Sequence, residues 1–389
     1  MDFAKNIKVY YLYSFSDQLI LGPIIVLYFI AKGLSFTEIM VLQSIAAISV
    51  VIFEVPTGAV ADRIGRKLSI IVGSFFWALS LLVYILGNNF VLFAVAEITF
   101  SLGATFKSGA NTAIIYDSLK FINRVREFQN IEGNAKSLFL VAQAIGSVIA
   151  GFVYEINIYL PLIISIGLML INIFISLNFK EPPIREKSSI YSTKYFDQIK
   201  ESGKYILRND KIKALILYSM IFFIFFRTGF WYFQPYMESV DIPVRYFGIL
   251  FFIFNMTAAA TSRYVFLIMK VTKPKTLTFL STLLILSFIL MGMIRTWVGV
   301  FAILLQQIAR GLYGPAMNKY LNKHIPSDKR ATILSFESLA KNITVAITLP
   351  FMGKLKDSLD IFISHLVIAF IMVVMTYISL SYMNKRLGV

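Results

Sequence analysis

The sequence predicts an all-α integral membrane protein with twelve transmembrane helices in two six-helix halves. Three observations carry that prediction. Of the 389 residues, 58% are hydrophobic and only 15% charged, and the mean hydropathy is +0.74, whereas a soluble domain carries about 25% charged residues. Apolar runs of about 20 residues, the length a bilayer-spanning helix needs, recur along the chain. Lysine and arginine fall in alternate loops, so the net charge of +16 describes membrane topology rather than a continuous nucleic-acid-binding face.

Apolar segments run over 8–30, 38–60, 68–87, 90–116, 134–155 and 158–179, and then over 212–235, 246–269, 276–294, 298–320, 332–352 and 361–383. Each is long enough to cross at ~1.5 Å per residue. The N-terminal stretch shows no small-residue cleavage site after a short apolar core, so the first span reads as an anchor that stays. Glu181-Pro182-Pro183 stops the sixth helix, and Tyr195 to Arg208 has the pattern of an amphipathic surface helix. The expected organisation is a bundle over 1–180, a linker over 181–211 and a second bundle over 212–389. With the N-terminus inside, the inner segments together with the inner ends of the spans hold 27 Lys and Arg and the outer loops 5, which places both termini in the cytoplasm of a cell-membrane protein.

Absences narrow the chemistry. There is no cysteine, and the two histidines, His324 and His365, are far apart in sequence, so thiol catalysis and a histidine metal cluster are not expected. No phosphate-binding loop suggests a primary pump. No cofactor is expected, and no enzyme activity; a non-transporting membrane sensor on the same scaffold is the alternative outside transport.

After the second span comes Gly58-Ala59-Val60-Ala61-Asp62-Arg63-Ile64-Gly65-Arg66-Lys67. This resembles the loop 2–3 signature of the major facilitator superfamily, Gly-x-x-x-Asp-Arg-x-Gly-Arg-Lys, at every fixed position and on the expected face. The resemblance implies a transporter built of two six-helix halves around a central cavity lined by spans one, four, seven and ten. It also implies a cytoplasmic gate, in which the loop aspartate meets the start of span eleven and the second arginine pairs with an acid ending span four. Carried onto this chain, the gate comprises Gly58, Asp62, Arg63, Gly65, Arg66 and Asp117. The glycines are expected to allow close approach and a sharp turn, and Asp62 to sit against the positive end of a neighbouring helix. Gly146-Ser147-Val148-Ile149-Ala150-Gly151 is similar to the span-five signature of antiporters in the family, with Ser for Pro and Ala for one Gly; small residues there also serve close helix packing.

Charges within spans are costly and mark cavities or ion pairs. Asp17, Glu97, Lys107, Arg227 and Arg310 all fall on the four cavity spans. Helical rise places Asp17 and Lys107 about 14 Å and Arg310 about 15 Å from the inner face, with Arg227 and Glu97 further out at about 22 and 28 Å. Trp231 and Gln234 share a stripe with Arg227, and Gln306 shares one with Arg310. Asp17 is the first candidate for a proton-carrying carboxylate; a permanent pair with Lys107 or Arg310 would remove that role. Glu337 and Lys341, four apart on span eleven, read as a helix ion pair. The expected partners are a small-molecule substrate, protons as coupling ion and the lipid bilayer, with no nucleic acid and a functional monomer. The expected activity is proton-coupled efflux of small amphipathic compounds. An excess of cavity bases leaves open a carrier for an anionic or zwitterionic metabolite.

Overall fold

The computed structural model describes residues 3–183, 200–201, 203–326 and 329–387. Among them every regular element is helical. In chain order these are α1 (Lys5–Ser16), α2 (Ile25–Ala31), α3 (Phe36–Ile64), α4 (Arg66–Leu86), α5 (Phe90–Lys107), α6 (Ala110–Phe121), α7 (Phe128–Ile156), α8 (Leu160–Ser176), α9 (Asp210–Ser239), α10 (Phe247–Arg263), α11 (Val265–Thr272), α12 (Thr276–Met293), α13 (Ile303–His324), α14 (Arg330–Ser358) and α15 (Ile361–Leu387). Eight helical stretches among the described residues are long and apolar enough to cross a membrane. The chain is an integral membrane protein. Residues 184–199 and 202 of the expected linker lie outside the described residues.

Local sequence explains the ends. Asn89 caps α5 by accepting the Leu92 amide, 3.0 Å away, and Asn209 does the same for α9 at Ile212, 3.2 Å away; an asparagine there satisfies an amide that has no helical partner. Pro161 sits in the first turn of α8, where its missing N–H costs nothing.

Two expected spans are interrupted rather than continuous. The first stops at Ser16 and resumes at Ile25. Gly22 and Pro23 lie in the gap, and proline both lacks a donor and crowds the preceding turn. The fourth stops at Lys107, passes Gly109 at φ +75°, and resumes at Ala110. Pro235, by contrast, sits inside an unbroken α9. The first break is supported by side chains. The Asn172 amide donates to the Tyr13 carbonyl at 3.1 Å and the Ser16 hydroxyl at 2.8 Å, while its oxygen accepts from Ser74 at 2.8 Å. Gln18 donates to the Phe139 carbonyl at 3.0 Å, and Ser165 accepts the Ile20 amide at 3.1 Å. Backbone groups freed by the interruption thus find partners inside the protein, the condition for irregular backbone at membrane depth.

The chain divides into two compact units. Unit 1 comprises Met1–Leu34, Ile45–Lys194 and Val244–Ile249. Its core around α1, α6 and α7 packs Tyr10, Tyr13, Ile70, Ile114, Leu119 and Phe179. Unit 2 comprises Ser35–Ser44, Tyr195–Pro243 and Leu250–Val389. In it α9 is buried along most of its length, and His365 is enclosed by the rings of Tyr232, Tyr236 and Phe288 at 5.3–5.8 Å.

Candidate functional site

In unit 1 the two helix breaks meet in charge. Asp17 is the residue just past α1 and Lys107 the last residue of α5; they form an ion pair whose side chains are 11% and 5% exposed. The Lys107 ammonium lies 3.9 Å from the centre of the Trp77 ring and 5.6 Å from that of Tyr13. A cation at the end of α5 also faces the negative end of that helix, and an indole face is the best aromatic partner for an ammonium. Its stem has room because span three carries glycine: a Cβ at Gly73 would overlap the Lys107 side chain and come 2.8 Å from the Gly103 carbonyl oxygen. Exchange of Gly73 for Val is therefore expected to displace Lys107 and reduce transport at least tenfold, measured as uptake or efflux per mole of protein in the membrane.

Glu97, buried on α5, hydrogen-bonds the Tyr84 hydroxyl. On α1, the buried Tyr10 hydroxyl donates to Glu132 at 2.6 Å.

In unit 2 the expected stripe residues part company. Arg227 lies 5.9 Å from both the Phe230 and Trp231 rings. Trp231 is buried with no hydrogen-bond partner for its indole N–H among the described residues, and Gln234 is fully buried. Gln306 does not share open space with Arg310: its amide donates to Ser287 at 3.0 Å and its oxygen fills the space beside Gly229, where a Cβ would collide with it. Arg310 is exposed and held by Asn255 at 3.0 Å and Gln307 at 3.3 Å. Glu337 and Lys341 form the expected ion pair at 2.8 Å. Sequence reasoning missed the rest of that cluster: the Ser219 hydroxyl donates to Glu337, Tyr313 bonds Ser219 at 2.6 Å, and Lys341 lies over the Phe223 and Tyr313 rings.

The signature loop joins α3 to α4. Asp62 and Arg66 pair at 2.8 Å. Gly65, at φ +96°, occupies the left-handed region that favours glycine. Arg63 is exposed. Gly58 lies within α3 with nothing within 4 Å of an added Cβ, so close approach is not its role. Asp117 is half-buried and forms no ion pair among the described residues. The acid that meets the loop is Glu181, at the end of the sixth span. Its two carboxylate oxygens accept the Arg66 and Lys67 amides, each at 2.7 Å, and a Cβ on Gly65 would stand 2.9 Å from its carboxyl carbon. Glu181 therefore caps α4 with full negative charge at the positive helix end. Its replacement by Ala is expected to cost about 1–2 kcal/mol, seen as a lower thermal unfolding midpoint of the purified protein.

The chain is 25% identical over 354 residues, 85% of its length and 84% of the relative's, to the uncharacterized MFS-type transporter YxaM of Bacillus subtilis strain 168. It is 23% identical over 188 residues to the quinolone resistance protein NorA of Staphylococcus aureus, a match spanning 48% of this chain and 47% of that one. Among solved structures, the nucleoside transporter NupG superposes with TM-score 0.83 at 14% identity, covering 98% of this chain and 99% of NupG. A D-xylose-proton symporter superposes with TM-score 0.71 at 13% identity, covering 97% and 95%. Both likenesses are to the fold. Residues 9–269 match the family description Major Facilitator Superfamily. The chain belongs to the Major Facilitator Superfamily and is a transporter rather than an enzyme.

Proposed function

We propose that this transporter works by alternating access, with twelve crossings, both termini in the cytoplasm of the cell that carries it in its plasma or inner membrane, and a bundle on either side of a linker over 181–211. The proposed activity is proton-coupled efflux of small amphipathic compounds by a functional monomer. One observation carries it: Asp17 and Lys107 pair at the breaks of the first and fourth spans. Discontinuous helices are where transporters bind solutes and coupling ions, and a chain already free of helical hydrogen bonds there can rearrange at low cost. In the conformation seen, Lys107 occupies Asp17. In the proposed cycle the breaks move apart, Lys107 withdraws, and a proton or a cationic solute takes its place on the carboxylate, so that the two compete for one site. The partial likeness to NorA supports a drug-like substrate.

A second reading, transport of an anionic or zwitterionic metabolite, is favoured by Arg227 among aromatic rings and by the exposed Arg310. The test is efflux of a quinolone and of a lipophilic cationic dye from cells expressing the chain, with and without a proton uncoupler. Energised efflux of either compound, abolished by uncoupler, supports the first reading. Failure of both compounds, together with uptake of an organic anion into liposomes, supports the second.

A further inference from the structure

The helices α7 and α14 have the same length, 29 residues. Gly151 and Gly353 hold the same position in them, and so do Glu155 and Asp357, four residues further on. The two copies do the same thing. In unit 2, a Cβ on Gly353 would stand 2.7 Å from the Thr37 Cα and 2.9 Å from Met40 Cγ. The Asp357 carboxylate accepts the Phe36 amide at 3.1 Å, the Thr37 amide at 2.7 Å and the Thr37 hydroxyl at 2.6 Å. In unit 1, a Cβ on Gly151 would stand 2.7 Å from the Arg245 carbonyl oxygen and 2.9 Å from that of Val244, and Glu155 accepts the Arg245 amide at 3.0 Å. Each glycine lets the start of another helix seat against α7 or α14, and each acid caps the start so seated. The helices capped are α3 and the turn leading into α10, so each bond joins one half of the sequence to the other.

We propose that these two Gly-x-x-x-acid devices are a twin latch, and that Glu155 and Asp357 are positioning residues which hold the outer ends of spans two and eight closed. The proposal rests on the alternating-access reading and the charge-derived orientation. A carboxylate facing a helix start satisfies amides that lack helical partners and meets the positive end of the dipole. The hydrogen bonds from Thr37 and Arg245 to these acids are exposed, so water replaces the carboxylate there when the latch opens, and only the part-buried Phe36 amide has to find a new partner. That makes the contact selective for one conformation yet easily released. A broad apolar seal would lack this property. The glycine and the acid act together, since without the glycine the acid does not reach.

The chain contains no cysteine, which permits a single-thiol reporter. Met40, fully buried beside Gly353, is exchanged for Cys and labelled on intact cells with a membrane-impermeant maleimide. Asp357→Ala is expected to raise the labelling rate about fivefold, and Glu155→Ala, whose side chain acts at the other copy, to raise it by a similar factor, because the two caps open together. Glu155→Gln is expected to act in the same direction as a milder variant. A labelling rate at position 40 that Glu155→Ala and Glu155→Gln leave unchanged overturns the twin latch. As a second measurement, a Thr37→Cys/Asp357→Cys pair is oxidised to lock the contact. Efflux of the quinolone probe is expected to stop and to recover on reduction, and full efflux by the locked protein overturns the proposal. If the wild-type protein moves no quinolone, the substrate reading has failed, and the labelling rates alone judge the latch.

Discussion

Exchange of Lys107 for Met is expected to destabilise the protein by about 3–5 kcal/mol, because it leaves the Asp17 carboxylate buried without its counter-ion. The surroundings offer no replacement of comparable strength. Lys107 is held by Asp17 and by the Trp77 and Tyr13 rings, and rings attract a cation but not a carboxylate. Asp17→Asn is expected to cost somewhat less, since Lys107 keeps the Trp77 face and the end of α5. The double variant Asp17→Asn/Lys107→Met is expected to recover most of the loss, because two neutral groups leave no uncompensated charge, giving a coupling of about 2 kcal/mol or more in a double-mutant cycle. Unfolding midpoints of the purified variants measure this. Transport is expected to separate from stability: the double variant folds well and does not couple. If the two single variants unfold at the wild-type midpoint, the pair is not a buried structural charge, and the reading of the breaks as a built site fails with it.

Asn172→Leu is expected to show the next largest effect. One buried amide holds the Tyr13 carbonyl, the Ser16 hydroxyl and the Ser74 hydroxyl, tying the end of α1 to α4 and α8. Leucine matches its bulk and supplies none of these bonds. An unsatisfied buried group costs about 1–3 kcal/mol; with relaxation the expected total is about 3 kcal/mol. Asp17 follows Ser16 directly, so loosening the end of α1 also moves the carboxylate, and transport is expected to fall at least tenfold. Asn178→Leu is the control. Asn178 is exposed and bonds carbonyls within its own turn, so its loss is expected to change the midpoint by less than about 0.5 kcal/mol equivalent.

Helical arithmetic placed Asp17 and Lys107 at one depth, and the structure joins them, because rise per residue is a property a sequence carries openly. The breaks were harder to read. Gly22-Pro23 signals weakness without saying how many residues leave the helix, and Lys107-Ser108-Gly109 becomes a break only when Gly109 adopts a positive φ. The same limit applies at the signature loop. The carboxylate that caps α4 is separated from it by more than a hundred positions, so Glu181 reads locally as a helix stop and the resemblance favours Asp117. Gly58 and Gly65 look alike in a motif, yet only Gly65 needs its missing side chain. In unit 2, Gln306 and Arg310 share a stripe by spacing but not in surroundings, since Gly229 opens a slot that draws Gln306 into the packing. The repeated Gly-x-x-x-acid element is not legible in sequence, because two matched positions in a long apolar helix carry little signal until the chains they contact are known.

The central claim is that Asp17, released from Lys107, carries the coupling ion. The most direct measurement is proton movement across liposomes containing purified protein when a quinolone is added to one side, in wild type and in Asp17→Asn. Wild type is expected to move protons against the drug, and Asp17→Asn to move none while remaining folded. Proton movement of wild-type size in Asp17→Asn would contradict the account.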